Sequence, residues 1–254
     1  MLDERRVIWL LIDGLKIGFL GGFLMDKPDD DETSVRDDLG KLAESKHCFF
    51  CSKLWKNMLD FYARLPDDWV NDAKKRQEYG KEGALCPFHL WQLASMASFA
   101  CFSLVLAEIA QGTSRRLSAL MVCDLKSRNI FGMLFNSNRN CLVCSYAGQV
   151  EMQYLDYFRR LLAKREGIAA YEKSRGFCLR HAVLISNGMD EEYSKFIIMH
   201  SAKRFSELSQ NLLSFSQKTK MGRRDLIQPD EQYAVSRALI QLAGTKYLQY
   251  LMRN

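Results

Sequence analysis

Proline is scarce in this sequence, with only four in 254 residues. Because proline interrupts helices and interior strands, its scarcity favours long helices. The period-two alternation of half-buried strands is also missing, so we predict an all-α fold. The sequence has no G-x-G-x-x-G, G-x-x-x-x-G-K-[ST] or G-x-S-x-G motif either. Common nucleotide-binding and serine-hydrolase signatures are therefore missing.

A strong excess of one charge is also missing. The formal net charge is +6, and charged residues make up 26% of the chain. A nucleic-acid binder usually concentrates positive charge on one face. The nearest candidate is the basic segment Lys218–Lys220 with Arg223 and Arg224, which we predict to be a solvated loop. We expect another protein as the partner, with nucleic acid as an alternative.

The N-terminal residues 7–24 are apolar, but they carry Asp13 and Lys16 near their middle and no A-x-A-like cleavage site follows. A charge at the centre of a membrane helix costs about 2.5–3.5 kcal/mol on insertion scales. We therefore expect an additional packed helix or an over-extended start rather than a membrane anchor. Residues 1–45 are predicted to form this helix and an acidic linker, in a cytoplasmic protein.

Helical periodicity accounts for most of the remaining chain. Predicted helices cover residues 52–65, 90–107, 114–135, 145–164, 190–215 and 231–252. The first should end at Pro66-Asp67-Asp68. Residues 90–107 contain no charged side chain, which predicts a helix buried among others.

Cysteine and histidine residues form a repeated pattern. Cys48-x-x-Cys51 is followed by Cys86-x-x-His89, and Cys141-x-x-Cys144 by Cys178-x-x-His181. The segment 59–65, LDFYARL, corresponds to 155–161, LDYFRRL. This pattern indicates an internal duplication, with one helical unit over residues 46–140 and a second over residues 141–254 that includes the C-terminal helices.

Each repeat contains the ligands of a structural zinc site. Two cysteines separated by two residues can direct both sulfurs at one point, and Cys and His at i and i+3 share a helix face. Pairing each C-x-x-C with the next C-x-x-H gives a Cys₃His set, typical of structural zinc. The predicted zinc ligands are Cys48, Cys51, Cys86 and His89 at one site, and Cys141, Cys144, Cys178 and His181 at the other.

Other uses of these cysteines remain open. The C-x-x-C pairs could be redox dithiols or disulfides, or could hold an iron–sulfur cluster or another metal. Haem c attachment is excluded because Ser52 and Ser145 follow the two pairs. Cys101 and Cys123 fit packed apolar residues, His200 fits a core histidine, and His47 could assist as a ligand.

Four protein ligands leave no open position for water, and no other catalytic arrangement is evident. We therefore predict no catalytic residues and a zinc-binding scaffold rather than an enzyme. The alternatives are a thiol-redox or iron–sulfur protein, and a zinc protein associated with nucleic acid.

The repeated ligands, the aromatic helices and the segment Gly176-Phe177-Cys178-Leu179-Arg180-His181 carry a resemblance. The chain resembles an uncharacterised prokaryotic domain-of-unknown-function family with duplicated C-x-x-C…C-x-x-H units, over roughly residues 46–244. Phe49 and Leu142 stand where proline is common in that family. The resemblance implies an all-helical metal-binding protein without an assigned activity.

Overall fold

The computed structural model describes residues 31–79, 85–121 and 141–245. These residues form eleven α-helices and one short 3-10 helix, with no strand among them, which confirms the all-α prediction. The helices are α1 Glu32–Glu44, α2 Phe49–Asn71, α3 Ala73–Tyr79, α4 Pro87–Ala94, α5 Phe99–Met121, α6 Leu142–Leu162, α7 Arg165–Lys173, α8 Leu179–Ser186, α9 Glu191–Lys220, the 3-10 helix Arg224–Leu226, α10 Pro229–Gln232 and α11 Ala234–Ala243. The predicted helix over residues 7–24, residues 122–135 and 246–252 of two other predicted helices, and Cys123 lie outside the described residues.

Helices α2 and α6 pack against each other in opposite directions at the centre of the fold. Phe50, at the start of α2, packs on Phe158 near the end of α6, with ring centroids 5.3 Å apart. Farther along α2, Phe61 stacks at 4.2 Å on Tyr146, near the start of α6. All four aromatic side chains are buried. This antiparallel packing decides which cysteines meet.

Helix α1 packs against α7, so residues 32–44 of the predicted acidic linker join the body of the protein. Its Asp38 is buried, where it accepts a hydrogen bond from the Tyr157 hydroxyl at 3.0 Å and pairs with Lys53. A buried carboxylate needs such partners to offset its desolvation. These contacts join α1 to both central helices.

Helix α2 does not end at Pro66 as predicted, but continues to Asn71. Proline lacks the N–H that the carbonyl four residues earlier would accept, so its presence inside a helix is unfavourable. Tertiary packing opposes this penalty, because Trp69 is completely buried and lies 5.6 Å from Phe102 of α5 between ring centroids. The prediction was wrong because local sequence does not show this distant contact.

The apolar segment 90–107 is not one buried helix, and that prediction was also wrong. Helix α4 ends at Ala94, and α5 begins at Phe99 after a turn. The Ser98 hydroxyl accepts a hydrogen bond from the backbone N–H of Cys101 at 3.3 Å, as an N-cap residue does. The side chain of Phe99 is 85% exposed. The segment therefore forms a corner at the surface.

The C-terminal helices differ from the sequence prediction in their boundaries. Helix α9 continues to Lys220, so the basic segment is partly helical, whereas Lys220, Arg223 and Arg224 are exposed as predicted. Lys218 Nζ donates to both carboxylate oxygens of Glu231, at 2.7 and 2.8 Å. Together with the backbone N–H of Gln228 and the Ser214 hydroxyl, Lys218 lowers the pKa of Glu231 to about 2. The predicted final helix is divided near Tyr233 into α10 and α11.

No helix in the described part of the chain has both the length and the apolar character needed to cross a membrane. The proposed boundaries after residues 45 and 140 stay predictions.

Candidate metal centres

All eight predicted ligands lie in two compact groups. We call Cys48, Cys51, Cys178 and His181 the first cluster, and Cys86, His89, Cys141 and Cys144 the second cluster. Within each cluster, the ligand atoms lie within 4.8 Å of one another. Each C-x-x-C pair therefore faces the C-x-x-H of the other predicted unit. The structure brings the eight predicted residues together across the two units, so the predicted pairing within each unit was wrong.

The antiparallel helices explain this crossed pairing. Cys86 and His89 lie beside the middle of α2, where the Tyr62 hydroxyl donates to the Gln92 side chain at 2.8 Å. Tyr62 is about 21 Å along α2 from Cys48, given a rise of about 1.5 Å per residue. Because α6 runs the other way, its N-terminal Cys141 and Cys144 lie at this position instead.

The same relation holds at the first cluster. His181 contacts Glu151, in the middle of α6, at 3.2 Å. Glu151 is about 15 Å along that helix from Cys141. The start of α2 lies at this point, so Cys48 and Cys51 complete the first cluster.

Distances in the first cluster fit a single central ion. The sulfurs of Cys51 and Cys178 are 3.7 Å apart. The Nδ1 atom of His181 lies 3.6, 3.3 and 3.2 Å from the sulfurs of Cys48, Cys51 and Cys178. All four residues are at most 2% exposed.

The second cluster has nearly the same dimensions. The sulfurs of Cys86 and Cys144 are 3.8 Å apart. The Nδ1 atom of His89 lies 3.3, 3.4 and 3.3 Å from the sulfurs of Cys86, Cys141 and Cys144. Cys144 is partly exposed, whereas the other three residues are buried. The second cluster is therefore closer to solvent.

These separations match the edges of a metal tetrahedron. Zinc–sulfur bonds of about 2.3 Å and zinc–nitrogen bonds of about 2.0–2.1 Å require about 3.8 Å between sulfurs and about 3.6 Å between sulfur and nitrogen. A disulfide requires about 2.05 Å between sulfurs. The Cys51–Cys178 and Cys86–Cys144 contacts are therefore not disulfides.

Four helix N-termini surround the two clusters. Cys48, Cys86, Cys141 and Cys178 are the residues immediately before α2, α4, α6 and α8, respectively. At α2, the Cys51 backbone N–H donates to the Cys48 sulfur at 3.5 Å. The positive end of a helix dipole stabilises a thiolate. Each cluster receives two such helix ends, which favours negatively charged sulfur ligands.

The thiols of each cluster interact strongly with one another. Hydrogen bonds from Cys178 and Cys48 lower the pKa of Cys51 far below its usual value, whereas burial raises the pKa of Cys48. Burial opposes protonation of His89, but hydrogen bonds to the thiols of the second cluster raise the pKa of that imidazole to about 9. Without a metal ion, some sulfurs of each cluster are therefore thiolates while others remain protonated thiols. A divalent cation would allow all three sulfurs to be deprotonated.

Glu151 is a supporting residue that the sequence analysis missed. One of its carboxylate oxygens lies 3.2 Å from His181 Nε2. Arg180 donates two hydrogen bonds of 3.0 Å to the same carboxylate. Since an ionised carboxylate only accepts, Nε2 carries a proton, and Nδ1 is the nitrogen that would bind a metal ion among the sulfurs. Glu151 lies within α6, with no motif in the sequence to connect it to the cluster.

The electrostatic environment of Glu151 supports an ionised carboxylate. Burial tends to raise its pKa, but hydrogen bonds from His181 and Arg180 shift the pKa below its ordinary value. Phe50 stacks on the other side of the imidazole, with ring centroids 3.9 Å apart. The orientation of His181 is thus fixed by a carboxylate and an aromatic ring.

Among the described residues, the other candidate cysteine and histidines, Cys101, His47 and His200, lie outside both clusters. His47 is exposed, so it does not assist as a ligand in this arrangement. His200 is 9% exposed and packs against Tyr171 at 4.7 Å, in agreement with a core histidine. Its pKa is lowered by burial. Cys101 is partly exposed in α5.

No family model, curated protein or solved structure significantly matches this chain.

Proposed function

We propose that each cluster binds one Zn²⁺ ion and that the two ions fasten the two halves of the chain together. The observation that carries this proposal is the crossed pairing, because each cluster takes two ligands from residues 48–89 and two from residues 141–181. The sets of three thiolates and one imidazole are typical of structural zinc. The ions would thus stabilise tertiary structure between halves.

A structural role suits these ligands better than catalysis. Four protein ligands complete a tetrahedral zinc site and leave no position for a reacting water. Burial of seven of the eight ligands further restricts access. The protein is therefore proposed as a scaffold rather than an enzyme.

Zinc also fits the clusters better than the two alternatives that the sequence left open, a thiol-redox centre and an iron–sulfur cluster. A thiol-redox centre needs an accessible low-pKa cysteine, and Cys48, Cys51, Cys86, Cys141 and Cys178 are at most 1% exposed. Cys144 is partly exposed, but its hydrogen bond to Cys141 raises its pKa. Ligand atoms within 4.8 Å of one another surround one ion closely. An iron–sulfur cluster places several atoms between its cysteines and needs a wider arrangement.

Metal analysis of native protein tests the zinc proposal. Protein purified without added metal should contain about two zinc ions per chain by mass spectrometry under native conditions and by elemental analysis. Its thiols should react slowly until a chelator removes the metal. A coloured protein with iron and sulfide would overturn the proposal. So would a metal-free protein whose C-x-x-C thiols react rapidly.

We further propose that the scaffold binds another protein through the corner between α4 and α5. Trp91 is 79% exposed and Phe99 is 85% exposed, with partly exposed Met96 between them in the chain. Large apolar residues exposed near one another in the chain can mark a protein-interaction surface. Trp91 follows the ligand His89 on α4, so the second cluster would hold this corner in position. The basic segment gives less support to nucleic acid, since Lys218 is already paired with Glu231.

Site-specific photo-crosslinking in host cells tests this surface. A photoreactive residue at position 91 should form one discrete protein adduct, which should disappear when Phe99→Ser is added. The same residue at the exposed position of Lys203 in α9 is the matched control and should give no such adduct. An adduct removed by nuclease would instead support a nucleic-acid partner. Identical products at positions 91 and 203 would contradict the proposed surface.

A further inference from the structure

A second feature of the fold is a cleft lined by three arginines. It is a shallow cleft between α9, α11 and the segment that joins α7 to α8. Arg175 comes from the joining segment, Arg204 from α9 and Arg237 from α11. Gln241 and Glu207 also line the cleft. Residues distant in sequence thus bring three guanidinium groups together.

Two carboxylates neutralise only part of this positive charge. Asp230 accepts hydrogen bonds from Arg175 at 2.9 and 3.2 Å and from Arg237 at 3.2 Å. Glu207 accepts one from Arg204 at 3.0 Å. Three guanidinium charges therefore face two carboxylate charges. One positive charge remains for a ligand.

The arginines also have hydrogen-bond capacity left. The Nε–H groups of Arg204 and Arg237 are buried and have no acceptor among the described residues, whereas Arg204 Nη2 already donates to the Glu172 carbonyl at 3.2 Å. Arg237 is only 8% exposed and is held by the carbonyl and carboxylate of Asp230. A buried donor of a charged group without an acceptor is costly, and an oxygen-rich anion that drew these guanidinium groups toward the cleft would give both donors an acceptor.

We propose that this cleft binds a single phosphate group. Three guanidinium groups from three elements offer donors in different directions, which suits a tetrahedral oxyanion better than a planar carboxylate. The carboxylates of Glu207 and Asp230 lie beside these arginines, so a chain of phosphates would meet more repulsion there than a single phosphate group does. The ligand is therefore inorganic phosphate or a small phosphomonoester rather than a nucleic acid.

Calorimetric titration of the full-length, metal-bound protein tests the site. Excess metal is removed first, and ionic strength is held constant with sodium chloride. Inorganic phosphate should bind saturably with a Kd of about 0.1–1 mM, as expected for a small ligand. Glycerol phosphate in a parallel titration distinguishes the two sources, because tighter binding of the ester points to an organic phosphate.

Two variants separate a phosphate site from a structural ion-pair network. Asp230→Asn frees donors on Arg175 and Arg237, and it should tighten phosphate binding about tenfold. Arg204→Met should weaken binding about tenfold, whereas Arg223→Met, which removes an exposed arginine outside the cleft, should leave it unchanged. The gain in Asp230→Asn remains measurable even if Arg204→Met folds poorly.

The proposal is overturned if neither the native protein nor Asp230→Asn binds phosphate at up to roughly 20 mM. It is equally overturned if Arg204→Met and Arg223→Met bind phosphate as the native protein does. Both outcomes are independent of metal content, so they leave the zinc proposal unaffected.

Discussion

A protein that carries both Cys48→Ser and Cys178→Ser should keep one tightly bound zinc ion per chain. Both substitutions fall in the first cluster and leave the second cluster complete. In contrast, Cys48→Ser with Cys86→Ser removes one ligand from each cluster, and this protein should lose both ions or hold them far more weakly. Apparent zinc binding in finger peptides is worth about 10–16 kcal/mol, so we expect a large loss of stability as well.

The two double variants are matched, since both replace Cys48 and one further cysteine by serine. They differ only in the cluster to which the further cysteine belongs. Native mass spectrometry gives the number of ions, and chemical denaturation gives the change in stability. If Cys48→Ser with Cys86→Ser is insoluble, Cys51→Ser with His181→Asn still tests the first cluster and should also keep one zinc. If Cys48→Ser with Cys86→Ser instead keeps one ion, the result would contradict the crossed pairing and support pairing within each predicted unit.

Glu151→Gln should weaken metal binding at the first cluster about 10- to 100-fold, the usual effect of removing a hydrogen-bonded carboxylate behind a histidine ligand. The amide keeps the shape of the side chain but removes the charge that supports the His181 imidazole and pairs with Arg180. Competition with a chromogenic chelator should therefore show one ion released more readily than before. The second ion should be released as in the native protein.

This second ion is an internal control, because Glu151 contacts His181 of the first cluster. Glu166→Gln, at an exposed position of α7, is the external control and should change neither ion. Equal weakening of both sites in Glu151→Gln would mean that the residue acts through general stability and does not position His181.

The helices were largely predictable because their apolar residues recur at helical spacing. Helix α6, for example, covers Leu142–Leu162 where residues 145–164 were predicted. The errors occurred where distant contacts outweighed local signals. Pro66 remains inside α2 because Trp69 is buried against α5, and the uncharged segment 90–107 turns at Ser95–Ser98 and exposes Phe99.

The supporting residues of the first cluster were not predictable for a different reason. Glu151 and Phe50 are ordinary members of amphipathic helices, and their contacts with His181 depend on how α2, α6 and α8 pack. The cleft arginines are similar, because Arg175, Arg204 and Arg237 are spread over three separate segments. The duplication of the C-x-x-C…C-x-x-H unit stays a prediction.

The sequence by itself identified the eight residues that form the two clusters and the close approach within each pair. Two-residue spacing brings neighbouring sulfurs, or a sulfur and an imidazole, to one side of a turn or helix start. It did not determine which pairs meet, since either C-x-x-C with either C-x-x-H makes the same Cys₃His set. Tertiary structure decided this through the antiparallel packing of α2 and α6. After each of these long helices the chain turns back and places its C-x-x-H beside the middle of that helix. The other long helix begins at the same place.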